Sequence, residues 1–493
     1  MHIPTSGRPW LIQGGMGVGV SGWRLARAVA RTGQLGVVSG TALDTVLIRT
    51  LQSGDPGGHL RRALAAYPVP GTAGAVLERY FVEGGVGEGG RFLTTPPLTA
   101  DPGCPARALT VVANFCEVWL AKEGHRGPVG VNYLEKVQLA TAPALFGAIL
   151  AGVDYVLVGA GIPAHIPGLA TRLSRLEPVT TDVTVEGDPE PLPVPFDPAA
   201  ELAGAAVGGL RRPDVLAIVS LPALAAYLHR SERTRPDGFV VEGHRAGGHS
   251  APPRGPLRLD EDGDPVYGPR DTPDFARMAA LGLPFWIAGG ACGPEQVARA
   301  RAAGAAGVQV GSVFALCEES GLEPGLRRQL IERRLGTGLT VRNDPAASPT
   351  SFPFKVAGLP GTLADPAVAA ARPRVCDLGY LRTPYRAADG ALGYRCPAEP
   401  LVAYERKGGD RAGTEGRQCL CNGLTAAIGL GQRRPKGRVE PPVVTIGQDL
   451  DFLPHIAPGG EPYSAESVVR WLSEGLDGTA GAGPARTAGA KAL

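Results

Sequence analysis

Eight short apolar runs recur along the first two-thirds of the chain, and most of them end in glycine or a small polar residue. They occupy residues 10–12, 35–40, 129–132, 155–161, 215–220, 239–243, 284–290 and 307–312. The runs are continuously apolar rather than alternating, which is typical of strands buried on both faces of a sheet. Segments with helical spacing follow most of the runs. The pattern therefore predicts repeated βα units and a parallel sheet.

Eight such units predict a (β/α)₈ or TIM barrel, whose active-site loops lie at the carboxyl ends of the strands. The predicted helices include residues 111–121, 142–151, 223–229 and 295–303, together with an earlier helix through Leu25 and Val29 that Ser21 is expected to cap. A doubly wound open sheet is the alternative. The glycine sequence near residue 14 does not support a dinucleotide fold, because no acidic residue follows convincingly about 20 positions later.

The loop after the sixth run carries the clearest candidate chemistry. Residues 243–249 contain three glycines and two histidines, His244 and His249. Glycine lets the backbone approach a ligand closely, and an imidazole exchanges protons near neutral pH. One such loop by itself is equally typical of a surface turn with solvated histidines. Its position at the end of a buried strand favours a functional site.

The loops after the seventh and eighth runs indicate an anion site. Gly289 and Gly290 end one run, and Gly311 and Ser312 end the next. Glycine turns that open helices present backbone N–H groups to an anion, and in barrels these two loops commonly hold a phosphate. The alternative is that these glycines only close tight turns between strand and helix.

These motifs, in this order and at this spacing, resemble the nitronate monooxygenase family, formerly called 2-nitropropane dioxygenases. The resemblance covers roughly residues 8–320. It rests on Ile12-Gln-Gly-Gly-Met16, Gly130-Val-Asn132, Ala246-Gly-Gly-His249, Ala288-Gly-Gly290 and the run from Gly304 to Ser312. The family consists of FMN-containing barrels related to flavin-dependent enoyl-acyl-carrier-protein reductases. It implies an FMN-dependent enzyme on a TIM barrel.

The resemblance also implies a role for each matching residue. Backbone N–H groups and one hydroxyl would bind the FMN phosphate at Gly289, Gly290, Gly311 and Ser312. The isoalloxazine would lie along Gly14, Gly15 and Met16, with a hydrogen bond from Asn132. Further cofactor contacts are expected at Gly247, Gly248 and Gln309.

In the same alignment of motifs, His249 matches the active-site histidine that is proposed to remove a proton α to a nitro group. His244 is the second candidate for that base, although a structural or solvated role suits it better. The chain departs from the family at two positions. Ser312 replaces threonine and keeps the hydroxyl. Arg245 replaces glutamate, and its positive charge could hold an anion such as a nitronate or carboxylate, or point to solvent.

The remainder of the chain has a different character. We expect residues 1–340 to form the FMN-binding barrel, 341–474 an irregular C-terminal domain that packs on it as a lid, and 475–493 a disordered tail. The proline-broken stretch 343–355 is expected to be irregular. Four cysteines raise the question of a zinc or iron–sulfur site, namely Cys376, Cys396, Cys419 and Cys421. Their spacing matches no standard metal motif, and buried free thiols are the alternative.

Composition narrows the classes of function. A net charge of +2 and the absence of basic runs interleaved with aromatics argue against nucleic-acid binding. No signal peptide or membrane span is recognisable, so we expect a cytoplasmic protein whose eight cysteines are thiols or ligands rather than disulfides.

The sequence therefore predicts an FMN-dependent oxidoreductase that resembles nitronate monooxygenase. It would oxidise a nitronate or similar carbon acid with O₂, with His249 as base. One alternative is an NAD(P)H-dependent enoyl reductase that acts on chains tethered to an acyl carrier protein. The other is a flavin-binding partner subunit whose C-terminal module carries a metal. The substrate and the oligomeric state are left open.

Overall fold

A computed structural model describes residues 7–87 and 89–476, and its centre is a closed barrel of eight parallel strands. The described residues contain strands β1 Leu11–Gln13, β2 Leu35–Ser39, β3 Val129–Leu134, β4 Tyr155–Gly159, β5 Val179–Val183, β6 Leu192–Phe196, β7 Asp214–Val219, β8 Gly238–Glu242, β9 Phe285–Ala288, β10 Gly307–Val310, β11 Val341–Asp344, β12 Phe354–Ala357, β13 Thr383–Arg386 and β14 Leu392–Arg395.

The barrel strands are neighbours in the order β1, β2, β3, β4, β7, β8, β9 and β10, and β10 pairs with β1 to close the ring. Each of the eight predicted apolar runs forms one of these strands, so the predicted TIM barrel is confirmed. A small cluster of buried side chains fills the barrel interior, among them Ile12, Leu157 and Trp286. The Trp286 indole N–H donates to the carbonyl of Pro9 at 2.8 Å, which ties the chain entry to the barrel floor.

Helices surround the barrel, and each helix predicted from the sequence is present. They are α1 Trp23–Ala30, α2 Leu43–Gln52, α3 His59–Ala65, α4 Pro70–Tyr80, α5 Pro105–Lys122, α6 Gln138–Leu150, α7 Ile166–Ser174, α8 Pro198–Glu201, α9 Pro222–His229, α10 Phe275–Ala279, α11 Pro294–Ala302, α12 Ser312–Ala315, α13 Pro324–Leu335, α14 Pro366–Ala371, α15 Leu401–Arg406, α16 Leu420–Ala426, α17 Leu453–Ile456 and α18 Ala465–Ser473.

Ser21 does not cap α1, contrary to the sequence prediction. The cap residue is Gly22, without a side-chain hydrogen bond. The Ser21 hydroxyl instead donates to the carbonyl of Gly14 at 3.0 Å and accepts from the amide of Met16 at 3.1 Å. It therefore fixes the loop after β1, because these two backbone groups, five and seven residues earlier, engage the hydroxyl in place of the start of the helix.

In the described part of the chain, three two-stranded sheets lie outside the barrel: β5–β6, β11–β12 and β13–β14. The prediction that residues 343–355 are irregular is wrong at both ends of the segment, because Asn343 and Lys355 pair in an antiparallel ladder. A proline-rich stretch still connects the two strands. The division at residue 340 stays a prediction, and most of the predicted tail, residues 477–493, lies outside the described residues.

The C-terminal region shares its core with the barrel. Side chains from α18 and from residues 444–453 join a cluster that also contains barrel residues such as Leu11, Val241 and Phe314. The Tyr463 hydroxyl donates to the carbonyl of Val313 at 2.7 Å, directly behind one of the predicted phosphate loops. The region therefore supports the carboxyl end of the barrel.

In the part of the chain that the structure covers, no helix is both long and apolar enough to cross a membrane.

Close packing of α1 on β2 generates a stability prediction. A Cβ at Gly36 would lie 1.9 Å from the carbonyl oxygen of Ala26, which is backbone and cannot move aside cheaply. Gly36→Ala should lower the free energy of unfolding by at least ~1–3 kcal/mol, the usual cost of overpacking. The thermal unfolding midpoint measures it.

The matched control is Gly71→Ala in α4, where a Cβ meets nothing within 4 Å. Replacing a helical glycine with alanine should leave the free energy of unfolding unchanged or raise it by up to about 1 kcal/mol, so the midpoint should not fall. Equal midpoints for the two variants would contradict the tight α1–β2 contact.

Candidate active site

A cavity of ≈ 730 Å³ opens at the carboxyl ends of β1, β8, β9 and β10. It brings together most of the residues singled out from the sequence. Its walls include the predicted cofactor residues Gly14, Gly15, Met16, Gly247, Gly248, Gly289, Gly290, Gln309, Gly311 and Ser312. Asn132, His244 and His249 do not line it.

The loop after β9 requires its glycines. Gly289 and Gly290 have φ of +84° and +82°, a region that side chains disfavour. A Cβ at Gly289 would lie 2.8 Å from the carbonyl oxygen of Gly243, so the loops after β8 and β9 touch through their backbones. This close approach leaves room for a ligand against the backbone.

The loop after β1 packs closely against two polar side chains, Asn132 and Gln309. A Cβ at Gly15 would lie 2.4 Å from the Cβ of Asn132, and one at Gly14 would lie 3.2 Å from Gln309. Asn132 therefore adjoins the cavity through Gly15, although it does not line it. Gln309 is 7% exposed, and its Oε1 has no hydrogen-bond partner among the described residues. A buried amide oxygen without a partner costs free energy that a ligand donor would recover.

Residues 445–449 of the C-terminal region form one wall of the cavity, which the sequence did not indicate. The amide of Gly447 donates to the Ser312 hydroxyl at 2.9 Å, and the Thr445 hydroxyl accepts from the amide of Gly248 at 3.0 Å. A Cβ at Gly447 would lie 2.6 Å from the Ser312 Oγ. The first contact reaches a predicted phosphate-binding loop from 135 residues further along the chain, and the second reaches the loop after β8 from 197 residues further along.

Arg245 lines the same cavity on the side of Gly290. Its Nη2 lies 3.7 Å from Oδ2 of Asp449, and its side chain is 55% exposed. Asp449 is less exposed and also faces the cavity. Arg245 therefore lies with the predicted phosphate loops.

His249 is held under the C-terminal region. Its Nε2 lies 2.7 Å from the Ser348 hydroxyl, and its ring packs edge-on against Phe354 with centroids 4.8 Å apart. Strand pairing fixes the backbone on both sides, since Lys355 donates to Gly248 at 2.9 Å and Ser250 donates to Pro353 at 3.0 Å. Burial lowers the pKa of His249 to about 4, so the imidazole is neutral at pH 7.

Two further ionisable groups belong to this end of the barrel. Glu242 ends β8 and lines the cavity, and burial raises the pKa of its carboxyl to about 7. Lys355 is fully buried on β12, where it donates to the carbonyl of His244 at 2.7 Å, and burial lowers its pKa to about 8. The positive charge of Lys355 favours the ionised form of Glu242, and the negative charge of Glu242 favours the protonated form of Lys355. An acid directly after the apolar run 239–241 was the available sequence signal for Glu242.

His244 has a packing role. Its ring stacks on Tyr267 with centroids 4.1 Å apart and planes inclined by 10°, and its carbonyl receives the Lys355 ammonium. His244 does not line the cavity. No hydrogen bond joins it to His249 within the described residues. This environment agrees with the structural role preferred from the sequence.

The four C-terminal cysteines converge. Cys376, Cys396, Cys419 and Cys421 line one small cavity and are free thiols. Burial, followed by the charge of Cys419, raises the pKa of Cys376 to about 11, and burial raises that of Cys396 to about 12. Within residues 7–87 and 89–476, however, no three His, Cys, Asp or Glu side chains are arranged to hold a metal ion. Metal binding by these thiols stays a prediction.

Comparison with known proteins gives one family. Residues 199–343 match the model of the nitronate monooxygenase family, which confirms the resemblance indicated by the motifs over the region that contains β8, β9 and β10. No curated protein matches the sequence significantly.

Three solved structures are similar at low identity. FabK from Thermotoga maritima is 15% identical, with 96% of this chain and 94% of that chain covered at a TM-score of 0.46. Nitroalkane oxidase from Streptomyces ansochromogenes is 17% identical, with 96% and 98% covered at 0.45. The enoyl reductase domain of MlnA from Bacillus amyloliquefaciens is 14% identical, with 72% and 64% covered at 0.38.

The environment of His249 generates a titration prediction. Because burial penalises the imidazolium, the ring signals of His249 should not move between about pH 5.5 and 8, where an ordinary histidine titrates. NMR of histidine-labelled protein measures this, and the signal that disappears in His249→Gln identifies the residue.

Stability should follow the same titration. The unfolded chain binds a proton at His249 near pH 6.5 and the folded chain only near pH 4. The contribution of this residue to the free energy of unfolding therefore decreases as pH falls through this window, and His249→Gln should flatten that decrease. A midpoint near 6.5 in the NMR titration would contradict the buried environment.

Proposed function

We propose that the protein is an FMN-dependent oxidoreductase that oxidises a nitronate or a similar carbon acid with O₂. The observation that carries the proposal is the cavity at the carboxyl end of the barrel. Ten residues assigned to the cofactor from the sequence line this one space, although they come from strand β10 and four loops spread over nearly 300 residues.

The residues present fit FMN. The glycine loops after β9 and β10 offer backbone N–H groups and the Ser312 hydroxyl to a phosphate, with Arg245 adding a positive charge. The unpartnered Oε1 of Gln309 offers an acceptor to a ring N–H at the other end. When bound, FMN would supply the two-electron redox chemistry, and the protein supplies position and electrostatics.

His249 is the proposed proton-transfer group. The hydroxyl of Ser348 at Nε2 fixes the ring and leaves Nδ1 for a substrate. A neutral imidazole whose pKa is about 4 is a weak base, so it suits a carbon whose proton is already acidic or a nitronate that is already ionised. With a nitronate, Nδ1–H would donate a hydrogen bond to a nitro oxygen and orient the carbon.

Glu242 would hold a proton within the cavity. Its pKa of about 7 lets it exchange one near neutral pH, and the Lys355 ammonium behind it stabilises the ionised form. A cytoplasmic location, an acyl-carrier partner and use of NAD(P)H stay predictions from the sequence.

Anaerobic bleaching of the flavin absorbance tests the reaction class. The purified protein should be yellow, and an alkyl nitronate should bleach it while NADH and NADPH do not, because the proposed substrate is itself the electron donor. Rapid bleaching by a nicotinamide would instead favour the enoyl reductase. A protein that binds no flavin would contradict both functions.

His249→Ala tests the base, with a neutral nitroalkane as the electron donor, because a nitronate has already lost the α proton. The variant should retain FMN but lose at least ~10²-fold in the rate of bleaching, the usual contribution of a positioned acid or base. His244→Ala serves as the matched control, because the ring of His244 is stacked on Tyr267 and has the packing role described above. A full rate in His249→Ala would remove the proton-transfer assignment and leave the flavin assignment intact.

Charge at the proposed phosphate site generates a binding prediction. Arg245→Gln should weaken FMN binding about two- to fivefold, since the lost attraction is partly exposed to solvent, and Asp449→Asn should strengthen it by a similar factor. Fluorescence quenching of added flavin gives the dissociation constants.

Riboflavin is the control ligand, because it lacks the phosphate. Its affinity should be the same in both variants and in the unaltered protein. If FMN and riboflavin respond alike to Arg245→Gln, the phosphate does not lie beside this arginine.

A further inference from the structure

A second cavity lies outside the proposed flavin site, between the loops after β2 and β3 and residues 378–382 of the C-terminal region. It consists of two adjoining spaces of ≈ 550 Å³ and ≈ 380 Å³ that share Asp44, Val137 and Tyr380. We call the two together the Asp44 chamber. It shares no lining residue with the cavity of the candidate flavin site.

Two buried hydroxyls without hydrogen-bond partners in the described chain belong to residues that line this chamber. Thr95 is 5% exposed, and its hydroxyl has no hydrogen-bond partner among the described residues. The Tyr380 hydroxyl is likewise buried and without a partner there. Asp44 is also 5% exposed, and burial raises the pKa of its carboxyl to about 7, so it can donate a hydrogen bond when protonated. Buried hydroxyls without partners cost free energy, which a ligand oxygen would recover.

The two ends of the chamber differ in chemistry. The inner space is predominantly apolar, with Leu43, Leu134 and Ala144 in its wall. The hydroxyl of Tyr133 is already bonded there, to Asn114 and to the carbonyl of Ala144, both at 2.9 Å. The inner end therefore suits a hydrocarbon chain.

Two cations line the outer space, Lys136 and Arg382. Neither forms an ion pair with a carboxylate in the described part of the chain. Arg382 donates only to backbone carbonyls, at Gly379 and Leu98. The outer end therefore suits a carboxylate or another anion.

The backbone around the chamber is strained. Ala42, in the wall, has φ of +59°, which a residue with a Cβ rarely adopts. This conformation begins α2 and brings Leu43 and Asp44 to the cavity. Strain of this kind persists where the surrounding structure imposes it, and it is concentrated at ligand sites.

We propose that the Asp44 chamber binds a medium-chain carboxylate that carries a hydroxyl or oxo group. The carboxylate lies between Lys136 and Arg382, the oxygen substituent lies against Thr95, Tyr380 and Asp44, and the alkyl chain fills the inner space. The outer space of the chamber is connected to His249, the proposed proton-transfer group, through the ring of Phe352. The Lys136 Nζ is 5.0 Å from the centroid of Phe352, and that ring is 6.5 Å from the ring of His249.

Calorimetry with 3-hydroxydecanoate and decanoate tests the proposal without any flavin reaction. The unaltered protein should bind the hydroxy acid about tenfold more tightly, the value of one hydrogen bond to a buried partner. Thr95→Val and Tyr380→Phe, which keep the shape of the wall, should reduce this preference to less than about threefold. Lys136→Gln should weaken both acids by the same factor.

Tyr227→Phe is the matched control, because Tyr227 is 53% exposed on α9 and lines neither space of the chamber. It should leave both affinities unchanged. Absence of heat with either acid would overturn the proposal, as would an equal affinity for both acids in the unaltered protein. Loss of the preference in Tyr227→Phe would also count against the site. Flavin binding and bleaching are measured separately, so failure here leaves the proposed function untouched.

Discussion

The backbone pairing between β12 and the loop after β8 is the constraint on which the candidate site depends. A barrel closes its own strands but leaves the loops at their carboxyl ends without partners, and buried amides without partners are costly. Here Gly248 and Ser250 bond to residues next to or on β12, and the amide of Gly248 bonds to Thr445. The position of the His249 ring follows from those bonds.

The same arrangement sets the electrostatics of the site. β12 brings the fully buried Lys355 behind the loop, where its positive charge favours the ionised form of Glu242. Burial by Phe354 and its neighbours keeps His249 neutral. The C-terminal region thus contributes the charge of Lys355, the apolar cover of Phe354 and backbone partners for the loop after β8. Residues 1–340 contain none of these three.

Sequence alone predicted the barrel because each strand is a local, continuous apolar run. It also predicted that the glycine loops lie together, because parallel strands bring their carboxyl ends to one face. It failed where the hydrogen-bond partners are not those that a local motif suggests. Ser21 looks like a cap until Gly14 and Met16 compete for its hydroxyl. Thr445, Gly447 and Lys355 carry no local signal, since their partners lie more than 100 residues away. Glu242 could have been found as the one acid at the end of a buried strand.

Residues 445–449 contact the loops after β8 and β10, and this contact has a consequence for synthesis. The chain leaves the ribosome from its N-terminus, and the eight barrel strands are complete once Val310 has emerged. The wall that contacts Ser312 and Gly248 does not yet exist at that point. A nascent barrel therefore leaves the cavity open on that side until residues 445–449 fold against it.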